Sequence, residues 1–190
     1  MDKIFEDKLN SYSEILNSIR GGSYFHFECG NGWYPAVHAA LSFASKRNEA
    51  KQLGLSIHQV KEKFAELRIY HRGGDDVIQS CFGAASTIAG SMCDVCSRLG
   101  YADSQGGWVA VRCEEHHGLS ARDASDMYIL NERFVSELSK VVELVAEELG
   151  GSASKWLLKA HPDLGGEQPL AVLIEEGACA EVLRILGREQ

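Results

Sequence analysis

Three cysteines and one histidine occur as two close pairs in the segment that ends at Gly118. Cys93 and Cys96 are separated by two residues, and Cys113 and His116 repeat this spacing after a spacer of sixteen residues. A two-residue separation lets a tight turn direct both side chains at one tetrahedral ion. The spacing therefore predicts a zinc site whose ligands are Cys93, Cys96, Cys113 and His116.

Four protein ligands leave no open coordination position, so we expect the Zn2+ ion to be structural rather than catalytic. Two alternatives remain. His117 is as close in the sequence as His116 and can serve as the fourth ligand instead. The paired cysteines can also be buried, reduced residues without a metal. The other three cysteines, Cys29, Cys81 and Cys179, are expected to be reduced and mostly buried.

The composition is that of a globular protein, with 45% hydrophobic and 24% charged residues in a chain of 190. This length suits one large domain or two small ones. No apolar run approaches the roughly 18 residues that span a bilayer, and Met1–Arg20 carries too many charges for a secretory signal. We therefore expect a cytoplasmic protein.

The net charge of −8 disfavours binding to nucleic acid, because phosphates carry the same sign. Lys61, Lys63 and Arg68 form only a weak basic patch, since two glutamates interrupt it. The acidity is concentrated in residues 120–190, which have seven Lys/Arg and thirteen Asp/Glu, a net charge of −6. A solvated helical surface explains this excess more simply than an interface designed for a charged partner.

The first third of the chain alternates between helical and strand patterns. Apolar spacing predicts a helix over residues 2–19, and residues 24–27 are typical of a short strand. Pro35 suits the first turn of a second helix that reaches about Leu53. This part of the chain is therefore expected to mix both kinds of element.

Residues 56–71 have both helical and alternating apolar spacing, so the pattern is ambiguous there. We predict a strand at least over Leu67–His71. Asp75 or Asp76 is expected to cap a helix that continues through Ser91.

The C-terminal part has only helical patterns. Ser120 followed by Asp123 predicts the start of a long helix, which is interrupted near Asn131 and ended by Gly150-Gly151. Three shorter helices are predicted after it, over residues 154–160, 169–175 and 178–186.

The sequence therefore predicts an α+β protein that is mainly helical. A small α+β domain covers residues 1–119 and contains a zinc-ribbon-like Cys3His module over residues 93–117. An all-α domain covers residues 120–190. The natural boundary lies somewhere between Gly118 and Glu132, after the zinc segment ends.

The tail has an ordered set of Trp, Leu, Pro and Gly positions: Trp156-Leu157, Pro162, Leu164-Gly165-Gly166, Pro169-Leu170, Gly177 and Leu186-Gly187-Arg188. This pattern, from Ala153 to Glu189, resembles the toxin-binding domain of the Xre, MbcA and ParS antitoxins. Members of that family dock this domain on NAD-consuming toxins of the RES class and neutralise them. The usual antitoxin also has an N-terminal helix-turn-helix, and none is evident here.

The resemblance implies that the tail binds a protein partner, such as a RES-type toxin. The contacts would come from exposed polar residues near the last helix, namely Glu181, Arg184, Arg188 and Glu189.

The front half has Gly32-Trp33, the segment KEKFAELRIY over residues 61–70, and Gly106-Gly107-Trp108 inside the spacer of the Cys/His pairs. In this it resembles uncharacterised bacterial and phage proteins that have a related KEKFGGLRFY segment and a paired Cys/His zinc site. Ala65-Glu66 replaces the two glycines of that segment. The resemblance supports the zinc site and implies no activity.

No catalytic constellation is evident. The Gly-Gly pairs lack the Lys-Ser/Thr of a phosphate-binding loop, and a His26–Cys29 pair is not established by its spacing. We therefore expect a non-enzymatic, antitoxin-like adaptor, forming a homo-oligomer, that neutralises or regulates a partner protein. The alternative is a phage or mobile-element inhibitor of a host nucleic-acid enzyme that acts through an acidic surface. Neither a membrane nor specific nucleic acid is expected as a partner.

Overall fold

The computed structural model of the protein describes residues 1–17, 24–105, 107–119, 128–175 and 177–187. The fold is mixed α+β and mainly helical, as predicted. Its elements, in chain order, are α1 (Lys3–Leu9), β1 (Phe27–Glu28), α2 (Tyr34–Lys51), β2 (Ser56–Lys63), β3 (Glu66–Arg72), α3 (Asp76–Ala89), β4 (Tyr101–Gln105), β5 (Trp108–Arg112), α4 (Glu132–Leu149), α5 (Ala153–Leu157), α6 (Pro169–Glu175) and α7 (Cys179–Leu186). In the described part of the chain, no helix is long and apolar enough to cross a membrane.

The strands form two separate sheets. In the first, β2 lies in the middle, parallel to β1 and antiparallel to β3. The second is the β4–β5 hairpin. It lies between the two Cys/His pairs in the chain and so brings them together.

Helix α1 is shorter than the predicted helix over residues 2–19. The Asn10 side chain donates a hydrogen bond to the Glu6 carbonyl and accepts one from the Phe25 N–H, which ties the helix end to the next extended segment. Beyond a 3-10 turn, the Ile15 carbonyl accepts a hydrogen bond from the Ile57 N–H at 2.7 Å. Pairing with the sheet therefore ends the helix early.

Residues 56–71 form the β2–β3 hairpin, which confirms the predicted strand over Leu67–His71. The helical spacing of Ile57 and Val60 arises from a register shift between Ile57 and Gln59, which places both apolar side chains in the core. Phe64, which continued that spacing, lies at the tip of the hairpin and is 74% exposed.

Helices α2 and α3 match their predictions closely. Pro35 lies in the first turn of α2, and the Asp75 side chain accepts a hydrogen bond from the Ile78 N–H at the start of α3. Arg47 of α2 donates to both carboxylate oxygens of Asp75, and this contact lowers the pKa of that carboxyl group. The capping residue thus also links the two helices.

Helix α4 begins at Glu132, because the Asn131 side chain caps it by accepting a hydrogen bond from the Phe134 N–H. The predicted interruption near Asn131 is therefore the start of the helix. The earlier start signal at Ser120 and Asp123 lies outside the described residues. The three short helices predicted in the tail are observed as α5, α6 and α7.

The apolar face of α4 packs against α2 and α3, while α7 packs against α4. Val135, Leu138 and Val142 of α4 are 2% exposed or less. They belong to one core cluster that extends from Phe5 to Leu186. The core is therefore continuous across the predicted boundary between residues 119 and 120, and the elements described after residue 128 are helical.

The hairpin turn yields a stability prediction. Phe64 and Ala65 have φ values of 55° and 61°, the left-handed values of a type I′ turn, which glycine adopts without steric cost. Ala65→Gly should therefore raise the free energy of unfolding by about 0.5–1 kcal/mol, measured by denaturant titration. As a matched control, Ala50→Gly in α2, where the backbone is helical, should lower it by about 1 kcal/mol. A loss of stability in both variants would contradict the argument.

Candidate metal centre

The side chains of Cys93, Cys96, Cys113 and His116 lie together, with all four potential ligand atoms within 4.8 Å of one another. Nδ1 of His116 lies 3.3 Å from Sγ of Cys113 and 3.5 Å from Sγ of Cys93. The Sγ atoms of Cys96 and Cys113 are 3.7 Å apart. The four predicted ligands therefore form a Cys3His cluster that can hold a metal ion.

These distances fit a tetrahedral site. Zinc lies about 2.3 Å from thiolate sulfur and about 2.0–2.1 Å from imidazole nitrogen, so tetrahedral angles separate two sulfurs by about 3.8 Å and sulfur from nitrogen by about 3.6 Å. Three of the separations, those given above, are within a few tenths of an ångström of these values, and the limit of 4.8 Å for all pairs is about 1 Å longer. The ligands therefore surround one ion position and would have to close slightly around an ion.

Two tight turns aim the ligands. In the first, the Cys93 N–H donates to the Arg98 carbonyl at 2.7 Å, and the Ser97 N–H donates to the Cys93 carbonyl at 3.0 Å. Ser97 has a left-handed φ of 67°, which closes this turn. In the second, the His116 N–H donates to the Cys113 carbonyl at 3.1 Å. Each pair thus gains its geometry from a backbone turn, as its two-residue spacing predicts.

The β4–β5 hairpin joins the turns to each other. The Asp94 N–H donates to the Val111 carbonyl at 3.0 Å, directly before the second turn. Gly100 lies against the same end of β5: a Cβ atom there would be 2.9 Å from the Arg112 carbonyl oxygen. Only a glycine allows the chain to approach so closely.

The first turn also rests on residues 30–33, a contact that the sequence did not indicate. The Gly32 N–H donates to the Asp94 carbonyl at 2.8 Å, and the Ser97 hydroxyl donates to the Gly32 carbonyl at 2.6 Å. The indole N–H of Trp33, a fully buried side chain, donates to the Met92 carbonyl at 2.7 Å. The Gly32-Trp33 motif thus connects the metal centre to the helical core.

His116, and not His117, completes the cluster. His116 is 5% exposed, whereas Nε2 of His117 pairs with the Asp103 carboxylate at 3.2 Å and its side chain is 68% exposed. The 3-10 turn ends at His116, and the backbone changes direction at His117. The His117 side chain therefore lies outside the cluster. The alternative ligand is therefore excluded.

The first two thiols share their protonation. The hydrogen bond between them lowers the pKa of Cys96 to about 7 and, together with burial, raises the pKa of Cys93 to about 12. Cys96 is thus the more acidic thiol of the pair. Because a metal binds thiolates, loading this cluster releases protons, and its metal affinity falls in acid.

The remaining cysteines do not join the cluster. Cys29, Cys81 and Cys179 are free and buried, as predicted. Burial raises the pKa of all three thiols, to about 12 for Cys29 and about 11 for Cys179. They are therefore protonated, packed side chains rather than nucleophiles.

The residues expected to contact a partner are described only in part. Glu181 and Arg184 lie on α7, both exposed, with 3.6 Å between carboxylate and guanidinium. Arg188 and Glu189 lie outside the described residues. Trp156, a core position by its pattern, is only partly buried, and the neighbouring Leu158 is 46% exposed.

His26 contacts a carboxylate, and His38 contacts two hydroxyl groups. Nδ1 of His26 lies 3.1 Å from the Glu6 carboxylate. His38 lies between Tyr12 and Ser139, 3.1 Å from the tyrosine hydroxyl and 3.4 Å from the serine hydroxyl, and burial lowers its pKa. The contacts of His38 join α2 to the chain after α1 and to α4.

Comparison of the chain with protein-family models, with curated proteins and with solved structures finds no match. The geometry of the cluster is therefore the main guide to its chemistry.

The cluster predicts a specific response to loss of one ligand. Cys96→Ser should lose the bound metal, measured by elemental analysis, and should aggregate or unfold, because structural zinc contributes on the order of 10 kcal/mol to the folding of small modules. His117→Ala is the matched control: it changes an adjacent histidine of the same segment and should retain a full equivalent of metal. A folded, metal-free wild-type protein would refute the assignment.

The contact with residues 30–33 predicts a second effect. A Cβ atom on Gly32 would lie 2.2 Å from the Cys93 carbonyl oxygen, so Gly32→Ala should displace the first turn and reduce both stability and metal affinity. Gly151→Ala is the control, because no atom lies within 4 Å of a Cβ atom there. The comparison requires thermal melts and a chelator competition; equal behaviour of the two variants would show that the turn is not held by this contact.

Proposed function

We propose that this protein is a non-enzymatic adaptor that binds a partner protein through helices α5–α7 and is stabilised by one structural Zn2+ ion. The observation that supports the structural Zn2+ ion is the complete Cys3His ligand set. Three thiolates and an imidazole are ligands that favour zinc over magnesium or calcium, which prefer oxygen. Four protein ligands leave no position for a reactive water, so the ion supports the fold.

The charges around the cluster also fit this proposal. Three thiolates, a neutral histidine and Zn2+ leave one excess negative charge. Arg112 is 6% exposed and forms an ion pair with Asp94 of the first turn. Arg98 forms a second ion pair with Glu115, which links the two turns. The buried Arg112 guanidinium interacts electrostatically with Cys93 and Cys113 and so favours their thiolates, while Asp94 balances part of its charge.

We assign the partner surface to the tail because its helices carry a partly buried tryptophan, an exposed leucine and exposed charged side chains. Trp156 lies at the edge of the core with Leu158 exposed beside it. Glu181 and Arg184 are exposed on α7. Tryptophan and arginine are the residues that most often dominate protein interfaces. The resemblance of this tail to antitoxin toxin-binding domains supports a RES-type toxin as the partner.

The alternative, a nucleic-acid mimic that inhibits a host enzyme, has less support. Carboxylates of α4 are already paired: Glu132 with Lys8 at 3.0 Å, Glu137 with Arg133 at 2.9 Å and Glu147 with Arg47 at 3.6 Å. Paired carboxylates imitate a phosphate backbone poorly, because neighbouring cations cancel their field. Identification of proteins that co-purify from a host lysate decides between the two functions.

A charge reversal on α7 tests the partner surface. Arg184→Glu should weaken the complex, measured by pull-down or by growth rescue against a RES-type toxin, because the new charge faces the partner. Its melting temperature should stay nearly unchanged, since an exposed i,i+3 pair contributes only a few tenths of a kcal/mol. Lys3→Glu is the matched control: it breaks the exposed Lys3–Asp7 pair of α1 with the same change of charge and should leave binding intact.

Two further variants separate binding from folding. Leu170 is 2% exposed, so Leu170→Ala should cost about 2–5 kcal/mol and abolish binding through loss of structure. Trp156→Ala should cost less stability than Leu170→Ala and still weaken the complex. Light scattering of the wild-type protein measures whether the adaptor is the homo-oligomer that we propose. Unchanged binding in both Arg184→Glu and Trp156→Ala would place the partner surface elsewhere.

A further inference from the structure

The β2–β3 hairpin has one face toward the core and one toward solvent. Helix α3 packs against β3, and Val60 and Leu67 are buried on that side. The side chains of the other face, including the hairpin tip, form what we call the hairpin face. Its cationic and aromatic members are Lys61, Lys63, Phe64, Arg68, Tyr70 and Arg72, and Glu66 lies on the same face opposite Lys63. Neither the metal centre nor the proposed partner surface uses these residues.

Two aromatic rings stand exposed on the hairpin face. Phe64 is 74% exposed and Tyr70 is 43% exposed, so neither contributes a full side chain to the core. The Nζ atom of Lys61 lies 5.1 Å from the centre of the Tyr70 ring, and that of Lys63 lies 5.7 Å from the centre of the Phe64 ring. Each ring is thus accompanied by a cation that can move aside for a ligand.

The hairpin face is basic in an acidic protein. Arg68 forms an ion pair with Glu66, but within the described ranges Lys61, Lys63 and Arg72 form none. Cross-strand pairing sets Lys61 opposite Arg68, and alternation along β3 places Tyr70 between Arg68 and Arg72 on the same face. Glu66 of β3 and Glu28 of β1, which is in register with Lys61, lie on the same side of the sheet, so four cations face two carboxylates. The surface around the exposed Tyr70 ring is therefore positive on balance, although the whole chain carries −8.

We propose that the hairpin face binds single-stranded nucleic acid, with bases stacking on Phe64 and Tyr70 and phosphates contacting Lys61, Lys63 and Arg72. Exposed rings beside cations are the combination used by sequence-tolerant proteins that bind single strands. An acidic protein segment would use the cations and leave the rings without a role. A duplex, whose bases are already stacked, would use only the cations.

About three phosphate contacts give weak binding with a distinct salt dependence. The slope of log K against log salt is about −0.7 per phosphate for single strands, so about −2 is expected here. Raising the salt concentration from about 50 to about 200 mM should weaken binding by roughly 15- to 20-fold. The acidity of the other surfaces keeps the affinity low at physiological salt, and no base-specific contact is involved.

The experiment uses the full-length, metal-loaded protein and a labelled oligothymidylate of about 12 nucleotides, with binding followed by fluorescence anisotropy at low salt. The same titration with a duplex of equal length, and competition with polyglutamate, distinguish base stacking from simple attraction between charges. The single strand should bind more tightly than the duplex, and polyglutamate should compete poorly.

The variants remove one type of contact each. Phe64→Asn removes a ring while suiting the left-handed φ of 55°, and Tyr70→Thr removes the other ring while retaining preference for a strand. Each should weaken single-strand binding by about fivefold or more. The double variant Lys61→Gln/Arg72→Gln should reduce the salt slope by about 1.4. Lys155→Gln/Lys159→Gln is the matched control, with the same loss of charge at two exposed lysines of the tail.

Circular dichroism establishes whether each variant is folded. If one of the two ring variants unfolds, the binding measurement on the other ring variant tests the proposal. Absence of single-strand binding at low salt would overturn the proposal. Equal binding of single strand and duplex, or unchanged affinity in a folded ring variant, would also overturn it. Arg184→Glu should bind the oligonucleotide normally, so failure of the tail as a partner surface and failure of the hairpin face are separate results.

Discussion

The close approach of residues 30–33 to the first ligand turn is the contact on which the two parts of the N-terminal region depend. Backbone hydrogen bonds join Gly32 to Asp94, and the Trp33 indole joins Met92. Cβ atoms on Gly30 or Gly32 would lie 2.1–2.2 Å from carbonyl oxygens of the turn, so only glycine permits this contact. Because α2 follows Trp33 directly, this contact fixes the metal centre relative to α2, the helix at the middle of the core.

Because the core is continuous, the tail helices also depend on the contact between residues 30–33 and the first ligand turn. Helix α2 packs against α4, and α4 packs against α7. A metal ion that stabilises the ligand turns therefore stabilises a surface against which α2 is fixed, and α2 in turn supports the tail helices. We expect unfolding to be cooperative over both parts, because a single cluster of buried side chains leaves no interface at which they can separate easily. A shortened chain ending before α5 would therefore test folding as much as binding.

The sequence predicted what local patterns determine. The four clustered ligands, the cap at Asp75, the helix signals around Pro35 and the glycine stops of the tail each depend on a few neighbouring residues, and the structure contains them. The features that the sequence did not predict depend on contacts between residues that are distant in the sequence. The end of α1 depends on Asn10 bonding to Phe25, and the packing of Gly32 on Asp94 depends on residues sixty positions apart. The ambiguous spacing over residues 56–71 came from a local irregularity, the register shift after Ile57, which makes a strand imitate a helix.

Net charge describes the whole chain and not its individual surfaces. The value of −8 averages an acidic helical part with a hairpin whose solvent face carries four cations. The Debye length in physiological salt is about 8 Å, so a ligand on that face responds chiefly to the nearest side chains. The more distant carboxylates, several of which are paired on α4, would lower the affinity of the proposed single-strand binding only moderately. If the hairpin face binds single strands as we propose, the overall acidity limits the affinity, and the placement of Lys61, Tyr70 and Arg72 on one face sets the position of the ligand.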